Sequence, residues 1–467
     1  MIQLTAAEIA SMVDGEVVGE DATVTADVVT DSREAVPGGV FVAIRGESND
    51  GHAFADAAVA RGVAVVIAER TIANVTSVVV ADSAAALGAL ARGVLKRLRE
   101  RAKMSVVAIT GSAGKTTTKD LLLQILGSHA PTVAPIRSFN NEIGLPLTVL
   151  RATEETRFLI LEMGANHLGE LTYLTSIAPP DIAVELMVGQ AHLGEFGGIE
   201  AVAEAKSELV LGLAAGGTAV LNADDLRVRA MSALTAGPVV TFGHVTDADI
   251  RASDEIVRPD GGVDFTVTDH RTAQSAPVSL QLIGAHNVMN ALAAASVGIT
   301  LGLAVAAVAG ALSSAKALSA HRMHVTERPD GVTIIDDSYN ANPDSMKAAL
   351  RTLAQRAARR RRTVAVLGEM LELGPESRAK HDEVGRLAVR LNISRTIVVG
   401  AGASGIFDGV TQEGSWGDEA VFVDTIRDAR DLLQHELREG DVVLLKSSHG
   451  AGLWELADEL AAGGVAE

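Results

Sequence analysis

Cysteine is absent from the 467 residues, which excludes disulfides, thiolate catalysis and cysteine-ligated zinc and fits a reducing compartment. Positive charge is in deficit: 40 Lys and Arg stand against 59 Asp and Glu, a net charge of −19. Non-specific nucleic-acid binding needs basic surface, so no nucleic-acid partner is expected, and an anionic substrate must be met by local cations. Aromatic residues make up only 3% while glycine numbers 45, which predicts closely packed helix and sheet layers of small residues. A basic segment ahead of an apolar core is missing from MIQLTAAEIASMVDGEVVGED, so no signal peptide is expected. One long stretch, 287–315, has no charge, but it is mostly alanine and is interrupted by Gly298, Gly302, Gly310, Ser296, Thr300, Ser313 and Ser314. It predicts two short buried helices with a glycine turn at 299–303 rather than a membrane span.

The hydrophobic share of 48% and charged share of 21% are those of a globular chain, and the length predicts two to four domains. Residues 1–83 mix short β-like runs (28–30, 40–44, 63–68, 78–81) with turn-rich pieces such as Pro37-Gly38-Gly39, a small α/β domain. A helical pattern over 84–103 ends in Lys96-Arg97-Leu98-Arg99-Glu100-Arg101 and reads as a linker helix. From 104 to 314, short apolar runs (106–110, 158–163, 182–188, 218–222) alternate with helices, the signature of a parallel sheet with crossovers, while 239–282 predicts a small antiparallel sheet of its own. A third α/β block over 315–467 has strands expected at 332–336, 363–367, 396–399 and 441–445. It looks Rossmann-like without G-x-G-x-x-G, so a dinucleotide is not suggested. The run 359–362, four arginines, is expected to be an exposed helix end.

The stretch VVAITGSAGKTTT at 106–118 resembles a phosphate loop in which Ile109 occupies the position of the first glycine of G-x-x-x-x-G-K-[ST]. A strand, a glycine turn and a helix follow one another, which aims backbone N–H groups and a helix N-terminus at bound phosphates. Lys115 would reach the β and γ phosphates and the Thr116 hydroxyl would ligate magnesium. Glu162, where the apolar run 158–163 meets Gly164, offers a strand-end carboxylate to the same ion.

These features come in an order that resembles the Mur ligase family of ATP-dependent peptide ligases. Thr110-Gly111-Ser112-Ala113-Gly114-Lys115-Thr116-Thr117 matches its shortened phosphate loop. Further matches are Ser138-Phe139-Asn140-Asn141-Glu142, Glu162-Met163-Gly164-Ala165-Asn166-His167, Gly189-Gln190-Ala191-His192-Leu193, Ala205-Lys206-Ser207-Glu208, His286-Asn287-Val288-Met289-Asn290 and Asp336-Asp337-Ser338-Tyr339-Asn340-Ala341-Asn342-Pro343. Within the family, the second and last of these, with Leu367-Gly368-Glu369-Met370-Leu371-Glu372-Leu373-Gly374, are similar to the branch that adds D-alanyl-D-alanine to UDP-N-acetylmuramoyl-tripeptide. Thr30-Asp31-Ser32-Arg33 is similar to an N-terminal signature shared with the branch that adds the third amino acid.

The resemblance implies three α/β domains: a UDP-substrate domain, a central phosphate-loop domain and a Rossmann-like domain receiving the dipeptide. It implies a cytoplasmic, monomeric enzyme of peptidoglycan precursor synthesis that uses ATP and two magnesium ions. Lys115 would hold phosphates, as would the loop residues Gly111, Ser112, Ala113, Gly114 and Thr117; Thr116 and Glu162 would bind the first magnesium. His192 and a carbamylated Lys206 would hold the second, Asn287 and Asn290 would face adenine, and Arg322 would reach the phosphates. Asp337 would accept from the ribose, with Tyr339 and Asn340 nearby, and Ser32, Arg33, Asn140 and Asn141 would bind the UDP-sugar. His244, His324 and His435 carry no motif. Lys446-Ser447-Ser448-His449 stands where the family commonly has Lys-Gly-Ser-Arg, and Met187 where an Asn is common. A sister ligase adding one amino acid, or a phosphate-loop regulatory module without activity, would be the alternatives; the first would be expected to carry Asp-Tyr-Ala-His-Thr-Pro after Asp336, and the second needs neither His192 nor Lys206.

Overall fold

The computed structural model describes residues 1–46, 49–136, 138–190, 196–358, 360–414, 417 and 419–463. Its strands form sheets of five, nine and six, with a two-stranded pair at the N-terminus. In the first sheet Val28–Val29, Val40–Val42, Val65–Ala68 and Thr76–Val79 run parallel and Glu16–Val18 closes the edge antiparallel. The helix Ser83–Arg101 follows, capped by Asp82, whose carboxylate accepts from the N–H groups of Ala84 and Ala85. Its apolar face (Leu87, Leu90, Val94, Leu98) packs into one cluster with Val40 and Ile67 of the first sheet and Ala108 and Leu161 of the second. The helix is therefore part of the core on both sides.

The nine-stranded sheet is parallel from Thr132–Val133 through Phe158–Glu162, Ser105–Thr110, Ile182–Glu185 and Thr218–Asn222 to Val239–Gly243. The antiparallel strands expected at 239–282 are present as Ile250–Val257, Val263–Asp269 and Gln274–Leu280, but they continue this sheet. Val239–Gly243 and the start of Ile250–Val257 pair parallel, which carries the hydrogen-bond ladder across the change of direction and leaves no separate sheet. The uncharged stretch forms Asn287–Thr300 and Val305–Ser314, which cover one face of the sheet beside the helix Lys115–Gly127. Among the described residues no helix is long and apolar enough to cross a membrane.

The six-stranded sheet runs in the order His324–Glu327, Thr333–Asp336, Val442–Lys446, Thr363–Leu367, Arg395–Val399, Ala420–Val423 and is parallel but for the first strand. Its helix Pro343–Ala357 opens on a capping box between Asn342 and Ser345 with proline in the first turn. The arginine run corrects an expectation. The helix stops at Ala357, and Arg361 turns inward to donate to the carbonyls of Gly440 (2.6 Å) and Asp441 (3.1 Å) and to Thr333 Oγ1 (2.8 Å). Arg362 bonds Asp441 Oδ2 at 2.9 Å and the Glu436 carbonyl at 3.0 Å. These cations close carbonyl groups at the strand start; Arg359 lies outside the described residues.

Candidate active site

The C-terminal edge of the central sheet gathers the polar residues. The strand Ser105–Thr110 is apolar from Val106 to Ile109, then the chain turns through Gly111 and Gly114, both at positive φ, into the helix Lys115–Gly127. Gly114 is left-handed and a Cβ there would collide with the Asn290 side chain, so the turn requires glycine on two counts. Lys115, half-buried, donates to the Gly111 carbonyl at 2.7 Å and so lies back across its own loop. Burial draws its pKa down, with Glu162 pulling up and Arg322 down.

Beside it, Glu162 ends the strand Phe158–Glu162 directly across from Ile109. The Thr116 hydroxyl donates to Glu162 Oε2 at 2.9 Å, and Asn140 Nδ2 donates to Oε1 at 3.0 Å. The Arg322 guanidinium approaches Thr116 Oγ1 at 3.5 Å and lies 4.4 Å above the Tyr339 ring. Tyr339 stacks on His449, which stacks on Trp454. Hard oxygen donors at Thr116 and Glu162, held in contact at the loop, are the donor set magnesium prefers.

Asn287 and Asn290 form one buried string, with Asn290 Nδ2 donating to Asn287 Oδ1 at 2.8 Å and Asn287 Nδ2 to the Ile283 carbonyl at 2.8 Å. Lys206 sits on the buried side of Ile199–Leu211 at 3% exposure. Burial first, and the charge of Lys115 second, lower its pKa to about 7, against the opposing pull of Glu185.

All this surrounds a cavity of about 1220 Å³ that is lined by Ser112 to Thr117, Asn140, Asn141, Glu162, Lys206, Asn287, Asn290, Arg322, Asp337, Tyr339, Asn340 and His449. Ser32 and Arg33 do not line it: Ser32 is buried in a one-turn helix and Arg33 is paired with Asp31 at 2.6 Å in solvent. Asp337 does reach the cavity, but its Oδ2 is held by Lys446 Nζ at 2.6 Å and its Oδ1 accepts from the Met323 N–H at 3.2 Å. Lys446 also donates to the carbonyl of Asn340 at 2.9 Å. His192 lies outside the described residues, as do Ala191 and Leu193 of its motif.

Several residues of the site were given no role from the sequence. Glu185 is buried at the end of Ile182–Glu185, and burial drives its pKa well above the ordinary carboxylate value against the pull of Lys206 and Lys115. His286 is held neutral-leaning by burial and by Lys446, against Asp337. Lys119, four residues after Lys115, forms a buried pair with Asp120 at 2.6 Å and bonds Ser319 Oγ at 3.4 Å. Asn342 and Asp344 stand in or beside a quoted motif, but only the fold reveals their reach. Asn342 donates to the Ser112 carbonyl at 3.1 Å, and Asp344 accepts from the Gln190 N–H at 2.9 Å.

A phosphate loop with a strand-end carboxylate, closed over by cations and polar groups from a second parallel sheet, defines an ATP-dependent ligase. Family models match in chain order: Mur ligase family, catalytic domain at 26–102; Mur ligase middle domain at 109–298; and Mur ligase, glutamate ligase domain at 321–449. The UDP-N-acetylmuramoyl-tripeptide--D-alanyl-D-alanine ligase of Mycobacterium tuberculosis is 46% identical over 99% of this chain and 98% of its own length. That of Escherichia coli is 34% identical over all of both chains. A crystal structure of MurF from Acinetobacter baumannii superposes with a TM-score of 0.88 at 32% identity, covering 99% of each chain. MurF ligase from Thermotoga maritima in complex with ADP gives 0.78 at 30% identity, over 94% of this chain and 97% of that one. The chain belongs to the Mur ligase family.

Proposed function

We propose that this chain joins D-alanyl-D-alanine to the C-terminal carboxylate of UDP-N-acetylmuramoyl-tripeptide with cleavage of ATP to ADP and phosphate, in the cytoplasmic assembly of peptidoglycan precursors. The observation that carries the reading is one cavity shared by the phosphate loop and the C-terminal sheet, with Lys115 and Glu162 on one wall and Arg322, Tyr339 and His449 on the other. A phosphoryl group can then pass to a carboxylate and the acyl group to an amine without either leaving the site. The particular substrates follow the activity named for the full-length relatives.

The tripeptide carboxylate attacks the γ-phosphorus and ADP leaves; the dipeptide amine then attacks the acyl carbon, and phosphate departs. Negative charge spreads over phosphoryl and acyl oxygens in both steps, so fixed cations and donors do most of the work. Lys115 leaves the Gly111 carbonyl for the β and γ phosphates, which also meet the backbone N–H groups at the helix start. Thr116 and Glu162 would hold the first magnesium, which when bound would supply positive charge to the phosphates, and Asn140 keeps Glu162 aimed. Arg322, steadied on Tyr339, faces the transferred group; Asn287 and Asn290 face the adenine side. Lys446 fixes Asp337 with Tyr339 and Asn340 on the ribose side. Asn140 and Asn141 start the UDP-sugar path, and Ser32 and Arg33 lie further along it, outside the cavity.

Lys206, as a carbamate, and His192 would hold the second magnesium. The amine of Lys206, drawn towards its neutral form by burial, attacks carbon dioxide: an N–C bond forms, one C=O becomes C–O⁻, and the amine proton goes to solvent. The working units are 1–83, 84–103, 104–314 and 315–467, and the chain acts as a monomer. Phosphate release from ATP and UDP-muramoyl-tripeptide, with and without D-alanyl-D-alanine, tests the reading. Turnover should need the dipeptide; turnover with a single amino acid instead, or none, overturns it.

A further inference from the structure

Glu185 has no exposed surface, and neither of its carboxylate oxygens has a hydrogen-bond partner among the described residues. Opposite it in the parallel register stands Thr110, whose hydroxyl oxygen is likewise buried and unpartnered. Alternation along the strands sets the direction in which they face. Ala108 and Ala183, two residues back, belong to the core layer that contains Leu209. Thr110 and Glu185 therefore look towards the helix Ile199–Leu211, which carries Lys206 on its buried side. The cation acting most strongly on Glu185 is Lys206, followed by Lys115. Lys206 lines the cavity. Buried carboxylate oxygens without a bond are rare, and an ion or water is the usual explanation.

Both cations have other tasks in the proposed reaction. Lys115 turns to the phosphates, and Lys206 ceases to be a cation once it carries a carbamate. Glu185, already pushed towards its neutral form by burial, would then face a second buried charge of the same sign, and the conflict is relieved either by its proton or by a cation between the two groups. We propose that Glu185 is a further ligand of the second magnesium, forming with the Lys206 carbamate and the Thr110 hydroxyl a set of hard oxygen donors. The inference rests on the carbamate reading of Lys206. It also makes the carbamate and the ion mutually dependent, since each removes the charge conflict created by the other.

The test uses the full-length protein with ADP and bicarbonate. Mn²⁺ binding is followed by electron paramagnetic resonance, and carbamate formation by carbon-13 NMR with labelled carbon dioxide. Wild type, Glu185→Gln, Glu185→Val and Lys206→Ala are compared, with thermal melts confirming the fold; valine suits a buried strand position if glutamine does not. Wild type should bind two ions and show the carbamate signal only after metal is added. Both Glu185 variants should keep the first ion, bind the second at least about tenfold more weakly, and lose the carbamate signal. A folded Glu185 variant with wild-type affinity for the second ion overturns the assignment. If Lys206→Ala loses that ion while the Glu185 variants keep it, the carbamate reading stands and Glu185 alone falls. Wild type with neither second ion nor carbamate removes the reading and the inference together.

Discussion

The Lys115 ammonium is bonded to its own loop at Gly111, the Glu162 carboxylate to Thr116 and Asn140, and the Asp337 carboxylate to Lys446. The carboxylates of Glu162 and Asp337 are thus positioned before substrate arrives, which limits the reorganisation left for the reaction, while Lys115 has only to leave its own loop. Lys115→Ala should lower kcat for dipeptide-dependent phosphate release by about 10²–10³-fold, the usual effect of removing one oxyanion-stabilising donor; a loss below tenfold would place the phosphates elsewhere. Lys206→Ala should abolish turnover, and bicarbonate should not restore it, because no amine remains to carry a carbamate; restored turnover would assign that ligand to another group. Lys446 and Asp337 are both buried, so Lys446→Met leaves a buried carboxylate without its partner and should destabilise the C-terminal sheet by about 3–5 kcal/mol. Adding Asp337→Asn should recover most of that in chemical denaturation, and a double variant no more stable than the single one would show that the pair is not the cause. The sequence motif identified Asp337 as functional, but nothing in the local pattern linked it to Lys446, 109 residues away.

At the level of elements, two connections carry more than their sequence suggests. His244, which has no motif, follows the strand Val239–Gly243 and sits between Asp224 at 2.8 Å and Glu255 at 2.6 Å. Burial lowers its pKa, but the bond to Asp224 and the charge of Glu255 outweigh it and the net shift is upward. A raised folded-state value means that the clamp stabilises fully below the unfolded histidine pKa of about 6.5 and is lost as pH rises through the folded value. His244→Gln should therefore melt lower than wild type near pH 6 and equally near pH 9; a pH-independent gap would mean that packing is responsible. The half-exposed site keeps the effect small. Arg361 joins three stretches of the C-terminal sheet through carbonyl acceptors, and Arg361→Ala should cost about 1–3 kcal/mol in urea unfolding. Most strands and helices were legible because buried parallel strands and capped helices have strong periodic signatures. The arginine run was misread because its acceptors, the carbonyls of 440 and 441, are distant in the chain, whereas the antiparallel strands lie where they were expected and only their parallel link to the central sheet through the interior strand Val239–Gly243 was missed.

Across the whole molecule, the C-terminal sheet is fastened to the phosphate loop by side chains from both sides. Asn342 holds the Ser112 carbonyl, Asp344 the Gln190 N–H, and Lys119 the Ser319 hydroxyl. ATP bound as proposed would meet residues of both walls and should favour this arrangement. Asp344→Ala should enlarge the radius of gyration measured by X-ray scattering without nucleotide, and an ATP analogue with UDP-tripeptide should reverse the change; curves that never respond to ligand would show that the domains do not move. The phosphate loop was legible because it is a local device of strand, turn and helix. On the far wall Arg322 and Tyr339 were expected from the sequence, but the parts played by Lys446 and His449 were not, since they come from packing at the end of the strand Val442–Lys446, Lys446 on Asp337 and His449 between Tyr339 and Trp454. The central claim is that ATP phosphorylates a substrate carboxylate which the dipeptide amine then attacks. Tripeptide labelled with oxygen-18 in that carboxylate tests it most directly: mass spectrometry of the released phosphate should find one labelled oxygen per turnover, and phosphate free of label, with the peptide bond formed, would contradict the acyl-phosphate route.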